Sequence, residues 1–217
     1  MRDDPHPPIN ARLLLEAYAS GVFPMADGAE SDEIFWVDPK ARGIIPMDGL
    51  IVSRSLRKRV RKGDYRVTVN RAFLDTVRAC ADRDETWINA EIQSLYYDLH
   101  RGGYAHSIEV WMDGDLAGGL YGVALGGAFF GESMFSHRPD ASKIALVWLL
   151  ARLRVGGFSL LDTQFVTDHL ERLGAIEITR GAYHRRLDQA LTRPADFWRL
   201  PVDTDAQSVL QLSTQMS

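Results

Sequence analysis

The sequence predicts an α+β fold in which a helical, irregular amino-terminal part precedes a meander of strands, one long apolar helix and further alternating strands and helices. Three observations carry that reading. Capped amphipathic segments ended by glycine recur through the first hundred residues. Extended runs separated by tight turns follow at short intervals between Ile108 and Phe135. Ala141 to Val155 is then strongly apolar, is ended by Gly156-Gly157, and leads into a short buried strand. With 217 residues, 46% of them hydrophobic and 25% charged, the chain can bury a core without disulfides or metals.

Residues 1–9 are polar and proline-rich and read as a tail. Asn10 is placed to cap a helix running to Tyr18, with Leu13, Leu14, Ala17 and Tyr18 on one face and Gly21 just past its end. From Val22 to Pro46, prolines among Phe23, Phe35 and Trp36 predict loops and short strands. Ser53 to Lys62 reads as a basic helix and Tyr65 to Val69 as a strand. Asn70 is placed to cap a helix carrying Phe73, Val77 and Cys80, and Asn89 one running to His100, stopped by Gly102-Gly103. After the meander and the long helix come a strand from Phe158 to Asp162, a helix around His169 to Leu173, a strand from Ala175 to Thr179 and a helix from Tyr183 to Leu191. The domain division expected is 1–69 for a small amino-terminal domain, 70–192 for the main domain and 193–217 for a loosely docked tail.

Composition removes several classes of function. A single cysteine, Cys80, forbids an intramolecular disulfide and suits a reducing cytosol. No Cys/His spacing suggests zinc, and none of the residues singled out below calls for a cofactor. MRDDPHPPIN has no apolar run, so no signal peptide is expected. Ile144 to Leu153 is the longest apolar stretch, but it is broken by Arg152 and too short to span a bilayer. At a net charge of −4, the chain can hold a polyanion only through a local patch.

Four features carry chemistry. Between Ser53 and Lys62 there is no acidic residue, and helical spacing puts Arg54, Arg57, Lys58 and Arg61 on one side, with Lys62 following. Such a face suits a phosphate backbone, though a solvated basic surface helix would look the same. Trp36 and Trp87 stand in polar surroundings before turn or cap residues. Each is either a core anchor or a platform on which an unpaired base stacks. Glu132 lies among Phe129, Phe130, Met134 and Phe135, where an unpaired carboxylate is costly. It is either salt-bridged, with Lys143 as the partner, or held in an apolar pocket to meet an amine or hydroxyl. Asp162 and Gln164, two apart at the end of a buried strand, should share a face. Such a pair can orient an amine and take its proton, although an aspartate there is often only a cap.

Taken together, the strings AYASGVFPM, FWVDPKARGIIP, TWINAEI, GESMF, DASK and LLDTQF resemble the leucyl/phenylalanyl-tRNA–protein transferases, in the family's order and over most of the chain. The resemblance implies a small amino-terminal domain packed on an acetyltransferase-like (GNAT-type) aminoacyl-transfer domain, with which the order meander, helix, strand is compatible. It implies transfer of Leu or Phe, with Met possible, from aminoacyl-tRNA to proteins whose amino terminus is Arg or Lys, which marks them for degradation. No cofactor, no metal and no membrane enter, and a cytoplasmic monomer is expected. By position, Asp162, Gln164 and Glu132 match the catalytic group. Leu120, Phe129, Leu146, Leu149, Leu153 and Leu161 match the side-chain pocket, Trp36 and Trp87 the 3′-adenosine site, and Arg54 to Lys62 the surface facing the acceptor stem. Two positions depart from the family's pattern: Met25 stands where FPW is usual, and Thr163 where D-C-Q is usual. A rival reading, an acetyl-coenzyme-A-dependent enzyme, needs a glycine-rich turn before the main helix. Here that link is Ser136 to Lys143, with Pro139 and no glycine.

Overall fold

The computed structural model describes residues 9–31 and 33–214, so nearly all of the expected amino-terminal tail lies outside the described residues. Helix α1 (Ala11–Ala19) starts where Asn10 accepts the Leu13 N–H, and it turns Leu14, Ala17 and Tyr18 inward. Strands β1 (Phe23–Ala26) and β2 (Ile34–Val37) form a separate antiparallel ribbon. They are followed by β3 (Ala41–Ile45) and the basic helix α2 (Arg54–Lys62). Helix α2 buries Leu56 and Val60 and ends at Gly63, whose φ of 65° suits a residue without a Cβ. Strand β4 (Arg66–Val69) and helices α3 (Phe73–Ala81) and α4 (Ala90–Arg101) come next. Asn89 caps α4 as expected, by accepting the Ile92 N–H.

Asn70 does not cap α3. Its own backbone is left-handed (φ 59°), its Oδ1 accepts the Ser107 N–H and its amide meets His106, so it ties β4 to the neighbouring strand instead. The meander is β5 (Ala105–Met112), β6 (Asp115–Leu125) and β7 (Ala128–Ser136). Helix α5 (Ala141–Val155) then crosses back to β8 (Leu160–Gln164), which pairs parallel with β7, a connection that needs a crossover of this kind. The described chain finishes with α6 (Asp168–Glu171), β9 (Ile176–Thr179), α7 (Arg180–Leu191) and α8 (Ala206–Thr214).

Seven strands share one sheet in the order β4-β5-β6-β7-β8-β3-β9. Strands β3 and β4 both precede residue 70, so the boundary drawn after residue 69 does not coincide with any break in this sheet. One face carries α2, α5 and α8, and the other carries α1, α3, α4 and α7. Because both faces are covered, β5 is buried along nearly its whole length. No described helix is long and apolar enough to cross a membrane.

The carboxyl-terminal stretch is not a loose tail. Phe197, Leu200, Val209 and Leu210 are buried in the core beneath α5. Arg152, buried in the middle of the apolar helix, donates through Nη1 to the carbonyls of Phe197 and Leu200, both at 2.8 Å. The charge that interrupts α5 therefore serves to hold this segment.

Candidate active site

The β7–β8 ladder is short, ending at the Phe130–Asp162 pair. Past that point each strand carries an extra residue. Tyr121 opposes Ser133 and Gly122 opposes Gly131, which leaves Glu132 unopposed. Gly43 opposes Gln164 and Ile44 opposes Asp162, which leaves Thr163 unopposed. Bulges of this kind re-aim side chains, and here they flank a cavity of about 300 Å³ between the parted strands.

Leu120, Met134, Leu146, Leu149 and Leu161 make the apolar wall, drawn from three strands and α5. Four of the six leucine and phenylalanine positions expected there are therefore present. Phe129 and Leu153 are not on the wall. Leu153 is fully buried in the core, and the Phe129 ring stacks on Phe197 at 5.8 Å, which ties Phe129 to the carboxyl-terminal segment. Phe23, Met25, Arg83, Trp87, Phe165 and His169 complete the lining. Trp87 is therefore on the cavity wall. Trp36 is not: it lies on β2 opposite Pro24, 38% exposed and off the cavity wall. Met25 on the paired strand lines the cavity instead, so the departure at that position falls inside the site.

At the polar end sits Glu132. Its Oε1 accepts from the Tyr18 hydroxyl at 2.7 Å and from Gln164 Nε2 at 3.2 Å, and its Oε2 from the Tyr96 hydroxyl at 2.7 Å. Lys143 is paired with Asp140, so the salt bridge allowed for by the sequence does not form. Burial pushes the Glu132 carboxyl up to about 7, against the two tyrosine hydrogen bonds, which pull it down. Tyr18 and Tyr96, whose hydroxyls also meet each other at 2.5 Å, were not singled out in the sequence. Their signal was there only as inward-facing positions of two amphipathic helices.

Asp162 and Gln164 do not share a face. Gln164 has φ 56°, a conformation that costs a non-glycine residue about 1–3 kcal/mol, and Phe165 N–H bonds back to Thr163 O across it. The strand's period of two stops there. The Gln164 side chain turns to Glu132 and the cavity, while Asp162 is fully buried behind it and off the cavity wall. Asp162 accepts from Arg42 Nε (2.9 Å) and Nη2 (2.6 Å), from the Tyr183 hydroxyl (2.7 Å) and from the backbone N–H of Gln164 (2.8 Å). With its lone pairs so engaged, Asp162 is a fixed anchor for the strained residue that does face the cavity.

On α2, Arg54, Lys58 and Arg61 are exposed and Arg57 is half-buried. The segment lacks acids, as expected, but Asp64 just beyond it pairs with Lys62 (2.8 Å) and with Arg59. The helix packs on α5, whose leucines also line the cavity.

An apolar slot closed by a buried carboxyl and an amide is a candidate active site. The chain belongs to the leucyl/phenylalanyl-tRNA protein transferase family. The model of that family matches residues 44–188, and the model of its amino-terminal domain matches residues 8–40. The chain is 59% identical to the leucyl/phenylalanyl-tRNA–protein transferase of Ruegeria sp. (strain TM1040), covering 96% of this chain and 99% of that one. It is 58% identical to that of Cereibacter sphaeroides (strain ATCC 17025), covering 97% and 99%. It is 56% identical to that of Maricaulis maris (strain MCS10), covering 95% and 98%. The solved structure of FemX superposes with a TM-score of 0.49 at 12% identity, over 77% of this chain and 66% of that one.

Proposed function

We propose that the chain transfers leucine or phenylalanine, with methionine as a possible third, from aminoacyl-tRNA to the α-amino group of proteins beginning with Arg or Lys, making an amino terminus read as a degradation signal. We take it to act as a cytoplasmic monomer whose main domain is of the acetyltransferase type. The observation that carries the reading is the join of a leucine-lined slot to the Glu132–Gln164 pair in one cavity.

The chemistry follows from that join. An aminoacyl ester is already activated, so transfer needs no ATP, metal or coenzyme. The amino acid side chain enters the slot, where γ-branched or unbranched groups fit and β-branched ones, stiff at χ1, do not. The acceptor amine must shed a proton before it attacks, and a carboxyl titrating near 7 can take it at neutral pH. Gln164 donates through Nε2 to Glu132, which leaves its carbonyl oxygen to accept an amine N–H. Nitrogen bonds to the ester carbon, the bond to the ribose 3′ oxygen breaks, that oxygen gains a proton, and the nitrogen loses one. Most of the rate comes from holding the partners in this geometry. Trp87, with Met25 beside it, is the surface for the terminal adenosine, and Arg54, Arg57, Lys58 and Arg61 face the acceptor stem. Trp36, on the neighbouring ribbon and off the cavity wall, has no assigned part in this reading.

The acetyl-coenzyme-A reading loses ground on one detail. The N–H groups of His137 and Arg138, just before α5, both donate to Ala117 O rather than lying open to a pyrophosphate. The test is incubation with leucyl-tRNA carrying labelled leucine and a protein beginning with Arg, against the same protein beginning with an acetylated residue. Label at the free amino terminus alone is expected. Label in neither protein, under conditions where the chain is folded, refutes the reading.

A further inference from the structure

We propose that Arg42 is a positioning residue for the transfer, coupling the seating of β1 to the orientation of Gln164 through Asp162. The inference rests on the reading of the site given above. Arg42 lies between the two segments matched by the family models, and its side chain is 1% exposed. Its guanidinium joins three separate parts of the molecule. Through Nε and Nη2 it holds both oxygens of Asp162, and Asp162 Oδ1 in turn holds the backbone N–H of the strained Gln164. Through Nη1 it donates to Gly21 O at 2.9 Å, at the entry to β1, the strand that brings Phe23 and Met25 to the cavity wall. Nη2 also reaches the Tyr183 hydroxyl on α7, and the cation lies over the rings of Phe23 at 4.6 Å and Tyr183 at 4.3 Å.

Together these contacts exploit a geometry that lysine lacks. A planar fork can hold a carboxylate with two donors, reach a carbonyl with a third and still present its faces to aromatic rings. A core that needed only a neutralised aspartate could have used a simpler cation or an apolar pair. What the fork adds is a fixed angle between the Gly21–Phe23 segment and the Asp162–Gln164 segment. Both segments supply residues to the cavity wall, Phe23 and Met25 from one and Gln164 from the other, so on this proposal the amide faces the incoming amine only when β1 is seated.

The test is Arg42→Lys, which keeps the charge and loses the fork, with Tyr183→Phe as the milder second variant that removes one donor to Asp162. Both are assayed at matched folded fraction, checked by thermal unfolding and circular dichroism. The expected result for Arg42→Lys is a fall in kcat of roughly tenfold to a hundredfold, with KM for leucyl-tRNA within about twofold of the parent. Tyr183→Phe, which folds more readily, should show a smaller loss of the same kind. If either variant folds and keeps full kcat, or loses activity only in proportion to its unfolded fraction, the proposal is overturned. A rise in KM at constant kcat overturns it as well. Failure of the parent protein itself to transfer label would instead refute the function on which this rests, so the two failures are distinguishable.

Discussion

Replacing Tyr18 with Phe tests the assignment of Glu132 as the group that receives the amine's proton. The substitution removes one hydroxyl and little else, because the ring keeps its place against Phe130 at 4.7 Å. The Tyr18 hydroxyl donates to Glu132 Oε1 at 2.7 Å and so favours the ionised carboxylate. A hydrogen bond to a charged group is worth about 1.5–3 kcal/mol, and one pKa unit is about 1.4 kcal/mol, so losing it should raise the carboxyl by roughly one to two units. Glu132 then moves from about 7 to roughly 8–9. The assay is kcat/KM for label transfer against pH, parent and variant measured with the same acceptor so that the acceptor's own amine titration is common to both. The ascending acid limb should shift alkaline by that amount while the plateau changes less.

Stability supplies a second readout with a definite sign. The carboxyl titrates near 7 in the folded protein against an ordinary 4.5, so the folded state holds an extra proton between those values. Its contribution is most favourable below 4.5 and is lost as pH rises through 7, by about 3 kcal/mol in all. In the variant that loss should continue to higher pH. An acid limb that stays put, or moves acidward, in an active and folded variant refutes the assignment.

Two further outcomes follow from the packing. Phe197→Ala should destabilise the protein by about 3–5 kcal/mol in denaturant unfolding, since it empties the ring stack beneath α5 and loosens the carbonyl held by Arg152. A loss under 1 kcal/mol would show that the carboxyl-terminal segment is not part of the core. Leu149→Phe narrows the apolar slot and should lower kcat/KM for phenylalanyl-tRNA more than for leucyl-tRNA, by roughly tenfold in the ratio. An unchanged ratio would mean that the side chain binds elsewhere.

Much of the fold could be read locally, and the failures share a physical cause. Asn10 and Asn89 announce α1 and α4 because a cap's side chain bonds only two or three residues ahead. The meander and α5 were legible from periodicity and glycines for the same reason of range. Asn70 has the same residue type as the caps but spends its hydrogen bonds on a strand 37 residues away, which no local pattern encodes. The placement of β3 between β8 and β9 is likewise non-local. Glu132, Gln164, Trp87 and four leucines, which the structure brings to one cavity, stood out because they are chemically conspicuous or sit on regular elements. Asp162 was given the wrong face because alternation assumes a regular strand, and the bulge at Thr163 with the left-handed Gln164 ends that regularity. Phe129 lies off the cavity wall, stacked on Phe197 in a segment that looked too polar to dock, and Leu153 lies off it in the core.

The insertion of β3 also sets a timetable for the nascent chain. Arg42 and Asp162 are 120 residues apart, and β3 lies between two strands that are both synthesised long after it. At about 5–20 residues per second, roughly 6–24 s pass before the first of those neighbours is even translated. Until then the buried-to-be guanidinium stays in water and the strand keeps both edges bare. The candidate site is therefore among the last parts of the molecule that can assemble, and a ribosome stalled before β8 holds a chain whose β3 still lacks both of its partner strands.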